Sequence, residues 1–232
     1  MLSALSFLTV FGRGRTPGPA TFRWFPAVGA AIGAIVALTL AGARELWILP
    51  VAAAIAVAVD LVVTGMLHVD GLADSADGLL PHLDAERRLE VMRQPDTGAF
   101  ALGAVLVVFL LRWSALTDPR VEPWSVAAVW CISRTMVAVV PAVVPYARAE
   151  GLASALLDGT TAWTAVAVLP ALVLLAWAQG ATGVLAGLAA LAAGAALVAL
   201  AHRRIGGFTG DVLGAAVLVS ETTALLVLAA HP

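Results

Sequence analysis

Three carboxylates, Asp70, Asp74 and Asp77, stand in the stretch His68-Val-Asp-Gly-Leu-Ala-Asp-Ser-Ala-Asp-Gly78. They recur at i, i+4 and i+7, which puts all three on one face of a helix. Like charges stacked that way repel, and no Lys or Arg stands at i±4 to balance them. A hard divalent cation resolves the conflict: Mg2+ takes oxygen ligands and shares them with substrate phosphates. A solvated acidic helix start accounts for a carboxylate in the first turn, but not for a third one two turns on. Gly71 and Gly78 flank the acidic face and leave room for a bulky group to approach the backbone. His68 suits a general base or hydrogen-bond partner better than a Mg2+ ligand.

Other polar groups read two ways. Gly206-Gly-Phe-Thr-Gly-Asp211 is a glycine-rich turn leading into a helix. It is either a phosphate cradle at a helix N-terminus or a tight connection with Asp211 as the N-cap. Arg148, Arg203 and Arg204 either pair phosphates or mark topology. Arg134 lies inside an apolar run, where a charge costs about 2.5–3.5 kcal/mol and implies a partner or a function. It reaches either a substrate phosphate or the acidic cluster, or else it pairs with Asp60. Arg112 is expected to snorkel, and Glu221 needs a partner. Glu86, Arg87, Arg88 and Glu90 read as a solvated surface helix.

The elements that must position these groups belong to a membrane protein. Apolar residues make up 61% of the chain and charged residues 12%, against globular averages of roughly half and a quarter. Runs of about 20 apolar residues fall near 26–43, 46–66, 100–117, 124–145, 161–178, 182–201 and 212–230. The expected fold is all-α, a polytopic helical bundle of about seven transmembrane helices forming one catalytic domain over 1–232. Residues 1–25 form an interfacial or cytoplasmic N-terminus, since 2–11 is too short to span and its arginines follow rather than precede it. Residues 67–99 form a cytoplasmic segment that carries the acidic motif.

Every fixed cation is an arginine. With the N-terminus in the cytoplasm, Arg13, Arg15, Arg23, Arg87, Arg88, Arg93, Arg148, Arg203 and Arg204 all fall inside. Only Arg44 and Arg120 fall outside, so the positive-inside rule sets a multi-pass protein of the cell membrane with its active face cytoplasmic. Trp24, Trp47, Trp124, Trp163 and Trp177 near span ends fit interfacial anchoring. A net charge of −2 argues against nucleic acid as a partner, and the lone Cys131 excludes an intrachain disulfide.

Several separated motifs resemble the cobalamin synthase family, adenosylcobinamide-GDP ribazoletransferases. They are Leu5-Ser-Phe-Leu-Thr9, Trp24-Phe-Pro-Ala-Val-Gly29, the acidic stretch itself, Ser133-Arg134, Tyr146-Ala-Arg148 with Glu150-Gly151, and Gly207 to Gly214. The resemblance implies a membrane enzyme that joins adenosylcobinamide-GDP to α-ribazole or its 5′-phosphate, releases GMP and uses Mg2+. It assigns Asp70, Asp74 and Asp77 to metal and catalysis with His68, and Arg134, Arg148, Gly207, Thr209, Gly210 and Asp211 to substrate. A homo-oligomer, or association with other late-pathway enzymes, is compatible with the chain. Gln94 and Leu218 depart from residues that many members carry. A CDP-alcohol phosphotransferase also spaces aspartates along a membrane helix, but Ala73-Asp74 departs from that signature. A transporter accounts for the intramembrane charges but not for polar motifs gathered on one face.

Overall fold

The computed structural model describes residues 1–12, 18, 20–148 and 162–230, and among them every regular element is helical. Arg13, Arg15, Glu150, Gly151 and Asp158 lie outside the described residues, as does the side chain of Trp163. The main helices are α1 (Leu2–Leu8), α2 (Phe25–Leu46), α3 (Leu49–Thr64), α4 (Leu67–Leu79), α5 (Ala85–Val91), α6 (Ala99–Thr117), α7 (Pro123–Val139), α8 (Val168–Ile205) and α9 (Gly210–Ala229).

Five helical segments are long and apolar enough to cross a membrane, or six if α3 and α4 count as one bent span. The seven apolar runs therefore do not appear as seven separate long helices. Two of them, 161–178 and 182–201, fall largely within α8, which breaks at Gly180 (φ 59°, ψ −140°). A Cβ on Gly187 would fall 2.5 Å from Leu172 Cδ2, and one on Gly183 would fall 2.1 Å from the Leu175 carbonyl oxygen. In a straight helix residues 172 and 187 stand about 22 Å apart. The chain doubles back at Gly180, where the left-handed φ favours glycine. The run at 46–66 is likewise cut short, because α3 ends at Thr64 after 16 residues.

Polarity is inverted relative to a water-soluble protein. Leu102, Leu106, Val173 and Trp177 are exposed on the outer faces of α6 and α8, whereas Asp60, Arg112, Arg134 and Glu221 are buried. That arrangement suits a hydrocarbon solvent, in which charges must face the bundle interior and pair. Arg112 donates to Asp60 Oδ2 and Glu221 Oε2, both at 2.9 Å. Arg134 pairs with Glu221 Oε1. Trp130 Nε1 donates to Asp60 Oδ1 at 2.9 Å, and Ser133 Oγ donates to Glu221 Oε1 at 2.9 Å. Two arginines and two carboxylates thus neutralise one another and tie α3, α6, α7 and α9 together.

This network corrects two sequence expectations and supplies the partner that Glu221 needed. Arg112 is 1% exposed and does not snorkel, because its place on α6 points inward rather than towards lipid. Asp60 binds Arg112 rather than Arg134, and Glu221 is the shared partner of both arginines.

Polar segments separate to the two ends of the bundle. At one end Arg44 holds the Leu116, Asp118 and Val121 carbonyls, Arg120 holds those of Ala229 and Ala230, and Gln179 Nε2 donates to the Arg120 carbonyl. At the other end lie α1, α4, α5, the start of α6, residues 145–148 and the start of α9. The candidate site is built there.

Candidate active site

α4 carries the acidic motif, and its placement begins with a sharp turn. Gly65 (φ 58°) and Met66 (φ 60°) are both left-handed, and they turn α4 by 90° from α3. A left-handed non-glycine residue is uncommon and marks an imposed conformation. α4 therefore runs across the end of the bundle rather than through it. The Val10 N–H donates to the Val63 carbonyl at 2.9 Å, fastening the segment after α1 to this corner. The far end of α4 is held by two cations. Arg88 donates to the Gly78 and Leu79 carbonyls at 2.8 Å each, and Arg204 reaches Leu79 as well. Positive groups at a helix C-terminus satisfy orphan carbonyls and oppose the dipole. Arg88 is consequently buried, which corrects its reading as a solvated surface residue.

Along its length α4 lies against α9 at a glycine crossing. A Cβ on Gly71 would fall 2.7 Å from the Asp211 carbonyl oxygen, and Gly214 faces Gly71 across the contact. At Gly78 the space is taken by Met92 and the Arg88 carbonyl. Both glycines thus admit other parts of the protein, and Gly71 also borders the site cavity. The crossing brings Asp211 of α9 into the field of Asp70 and Asp74, a union of motifs about 140 residues apart.

The turn before α9 is pinned to the segment after α7. Phe208 N–H donates to the Pro145 carbonyl at 3.0 Å, and Ala147 N–H donates to the Phe208 carbonyl at 2.8 Å. A Cβ on Gly207 would fall 2.3 Å from the Pro145 oxygen, so this register requires glycine. Thr209 is the N-cap of α9, accepting from Val212 N–H at 3.3 Å and donating to Asp211 Oδ2 at 3.2 Å. The capping role read for Asp211 belongs to Thr209, and Asp211 instead pairs with Arg148 at 2.8 Å. Arg148 also donates to the Met92 carbonyl at 3.3 Å, while its buried Nε has no protein partner.

These elements enclose a cavity of about 230 Å³. His68, Asp70, Tyr146, Arg148, Gly210 and Asp211 line its polar side, so α4, the 145–148 segment and α9 supply the chemistry together. Asp74 lies beside it on α4: burial, and then the Asp211 and Asp70 carboxylates, push its carboxyl up to about 7. Asp77 has a different setting. It accepts from Gly98 N–H at 2.6 Å and Ala101 N–H at 2.9 Å, capping the start of α6. Arg134 sits in the buried charge network, and Arg134, Asp77, Gly207 and Thr209 do not line the cavity.

The donor set matches a hard cation. The carboxylates of Asp211 and Asp70 both lie close enough to Asp74 to oppose its ionisation, and the adjacent Arg148 is already paired. Among the described residues, no three acidic, histidine or cysteine side chains converge tightly enough to form a complete cage. Mg2+ does not need one, since it keeps waters and completes its octahedron with substrate phosphates. Asp70 and Asp74 are the carboxylates that would hold such an ion.

Sequence reasoning missed the aromatic side of the cavity, formed by Phe7, Phe22 and Phe25. Two of these rings fall in the opening motifs that carry the resemblance, which was the available signal.

Comparison with known proteins gives the family. The family model described as cobalamin-5-phosphate synthase matches residues 1–229. An adenosylcobinamide-GDP ribazoletransferase of Bradyrhizobium diazoefficiens is 39% identical, covering 88% of this chain and 81% of the relative. Relatives bearing the same name from Chlorobaculum tepidum and Stutzerimonas stutzeri are each 35% identical, covering 92% and 99% of this chain and 87% and 97% of their own. No solved structure matches. By that match over residues 1–229 and by these relatives, the chain belongs to the cobalamin-5-phosphate synthase family.

Proposed function

We propose that the protein is an adenosylcobinamide-GDP ribazoletransferase, joining adenosylcobinamide-GDP to α-ribazole or its 5′-phosphate with release of GMP. The observation that carries the reading is the meeting of Asp70, Arg148 and Asp211 around one cavity with Asp74 beside it, in a chain matched over 99% of its length by a relative of that name. Asp70 and Asp74 would hold Mg2+, with Asp77 beside them on the same helix. When bound, the ion neutralises the diphosphate and stabilises charge on the leaving GMP.

The chain's own residues do the rest. Arg148 exchanges part of its contact with Asp211 for phosphate oxygens. The Gly207–Asp211 turn presents the positive end of α9 to the same group. Arg134, paired with Glu221, anchors the floor beneath the site through the buried network. A ribazole hydroxyl attacks the phosphorus on the cobinamide side, the bond to GMP breaks, and His68 or an aspartate of the cluster takes the hydroxyl proton.

The same reading sets the topology. The α8 segment counts as two crossings about Gly180, and α3 supplies one more, which gives seven spans. The site end of the bundle is cytoplasmic, in a single domain of the cell membrane. Arginine bias supports this: Arg87, Arg88, Arg93, Arg148, Arg203 and Arg204 sit at the site end and Arg44 and Arg120 at the other.

The test is GMP release from purified protein given both substrates and Mg2+. The expected result is GMP together with a cobalamin product, abolished by EDTA. Membrane-inserted, folded protein that releases no GMP refutes the assignment.

A further inference from the structure

From the aromatic side of the cavity we infer that Phe7, Phe22 and Phe25 bind the flat, alkylated heteroaromatic base of the ribazole substrate. The proposal rests on the reaction above and adds a base-specificity site on α1 and the start of α2. The three rings form one continuous wall. Phe7 stacks on Phe25 with centroids 5.9 Å apart and planes 22° apart, and Phe22 leans on Phe25 at 4.7 Å and 58°. Phe22 and Phe25 are buried and Phe7 is half-buried. Leu8, Val137 and Val217 close the apolar side, opposite Asp70, Arg148 and Asp211.

Size and polarity select the occupant. Pockets for whole drug-sized ligands run to roughly 300–1,000 Å³, so a cavity of about 230 Å³ takes one ring system, not a corrinoid or an entire nucleotide. The competing ring is the guanine of the other substrate. Its edge carries several donors and acceptors, and burial against phenylalanines would leave them unpaired at substantial cost. An alkylated benzimidazole has an apolar outer edge and stacks on aromatic rings without that loss. Its sugar then emerges towards the charged side, where the diphosphate is held. One cavity thereby aligns acceptor base, acceptor hydroxyl and phosphate.

The test uses full-length protein in nanodiscs, with KM measured separately for ribazole and for adenosylcobinamide-GDP, and ribazole binding measured directly by equilibrium dialysis. Phe7→Ala removes a half-buried ring and is expected to raise KM and Kd for ribazole about fivefold, with KM for adenosylcobinamide-GDP unchanged. Val137→Phe fills the cavity and is expected to favour the riboside of unmethylated benzimidazole over the dimethylated one by about tenfold relative to wild type. A rise confined to adenosylcobinamide-GDP overturns the proposal in favour of guanine, and no change in either substrate shows that the wall is only structural. If Val137→Phe does not fold, Phe7→Ala decides alone. A wild-type protein that releases no GMP refutes the reaction, while dialysis still decides the pocket: ribazole bound and weakened by Phe7→Ala supports it, and no binding overturns it.

Discussion

Gly71→Ala tests whether the α4–α9 crossing sets the catalytic geometry. The added Cβ would stand 2.7 Å from the Asp211 carbonyl oxygen and 3.2 Å from Asp211 Cα and Gly214 Cα. The first contact is about 0.7 Å inside ordinary van der Waals distance, and its partner is backbone, so the helices must separate. Overpacking of this kind costs about 1–3 kcal/mol, and the gain of about 1 kcal/mol in helix propensity on replacing glycine offsets part of it. The variant should therefore insert and melt close to wild type. Its chemistry should suffer far more, because a displacement approaching 1 Å at a reacting centre costs on the order of 10²-fold. Steady-state GMP release at saturating substrates should fall roughly ten- to a hundredfold. The facing change, Gly214→Ala, places its Cβ 3.4 Å from Gly71 Cα and should be mild, and Gly103→Ala, with nothing within 4 Å, should be silent. Wild-type turnover by Gly71→Ala, or equal damage from Gly214→Ala, refutes the reasoning.

Other outcomes follow from the same structure. Glu221→Gln removes the carboxylate that Arg112 and Arg134 share, leaving Asp60 on Arg112, and should cost about 3–5 kcal/mol; an unchanged melting profile in detergent contradicts the network. Asp77→Ala withdraws the acceptors from Gly98 and Ala101 and should cost about 1–2 kcal/mol, of which Asp77→Asn should restore only part, since its amide keeps one of the two acceptor oxygens; wild-type stability of Asp77→Ala rules out the capping role. Asp74 must ionise to bind Mg2+ and its carboxyl lies at about 7, so the apparent Mg2+ affinity should rise with pH up to about 7 and level off above it. Metal titrations of activity at three pH values check this, and a flat response across neutrality counts against Asp74 as a ligand.

The membrane class and helical fold were readable from composition and apolar run length, because the bilayer fixes both. The acidic motif was readable because the helical period is local. What lay beyond reach depended on which helices become neighbours. Asp60, Arg112, Arg134 and Glu221 were each visible as intramembrane charges, yet their pairing follows from the packing of α3, α6, α7 and α9. Arg112 was assigned to the interface because snorkelling depends on which way a helix face points, and hydropathy alone does not report that. Gly71 and Gly78 were correctly marked as close-approach points, but the sequence does not say whether a ligand or another helix arrives. Asp77 shares a face with Asp70 and Asp74, but α6 begins beside it and takes its carboxylate. The aromatic wall escaped notice because Phe7 reaches the site only through the docking of a seven-residue helix.

The most direct measurement is Asp74→Asn, assayed for GMP release and thermal stability in one preparation. Asp74 is partly desolvated and stands among Asp211 and Asp70, so its folded-state pKa lies above the unfolded value. The sign follows: without metal, stability falls as pH rises from about 4 to about 7, and a neutral amide removes that loss. Asp74→Asn should therefore melt at or above the wild-type temperature at neutral pH without Mg2+, and lose GMP release by at least about 10²-fold. An active Asp74→Asn protein, or one inactive only because it no longer folds, contradicts a catalytic site centred on α4.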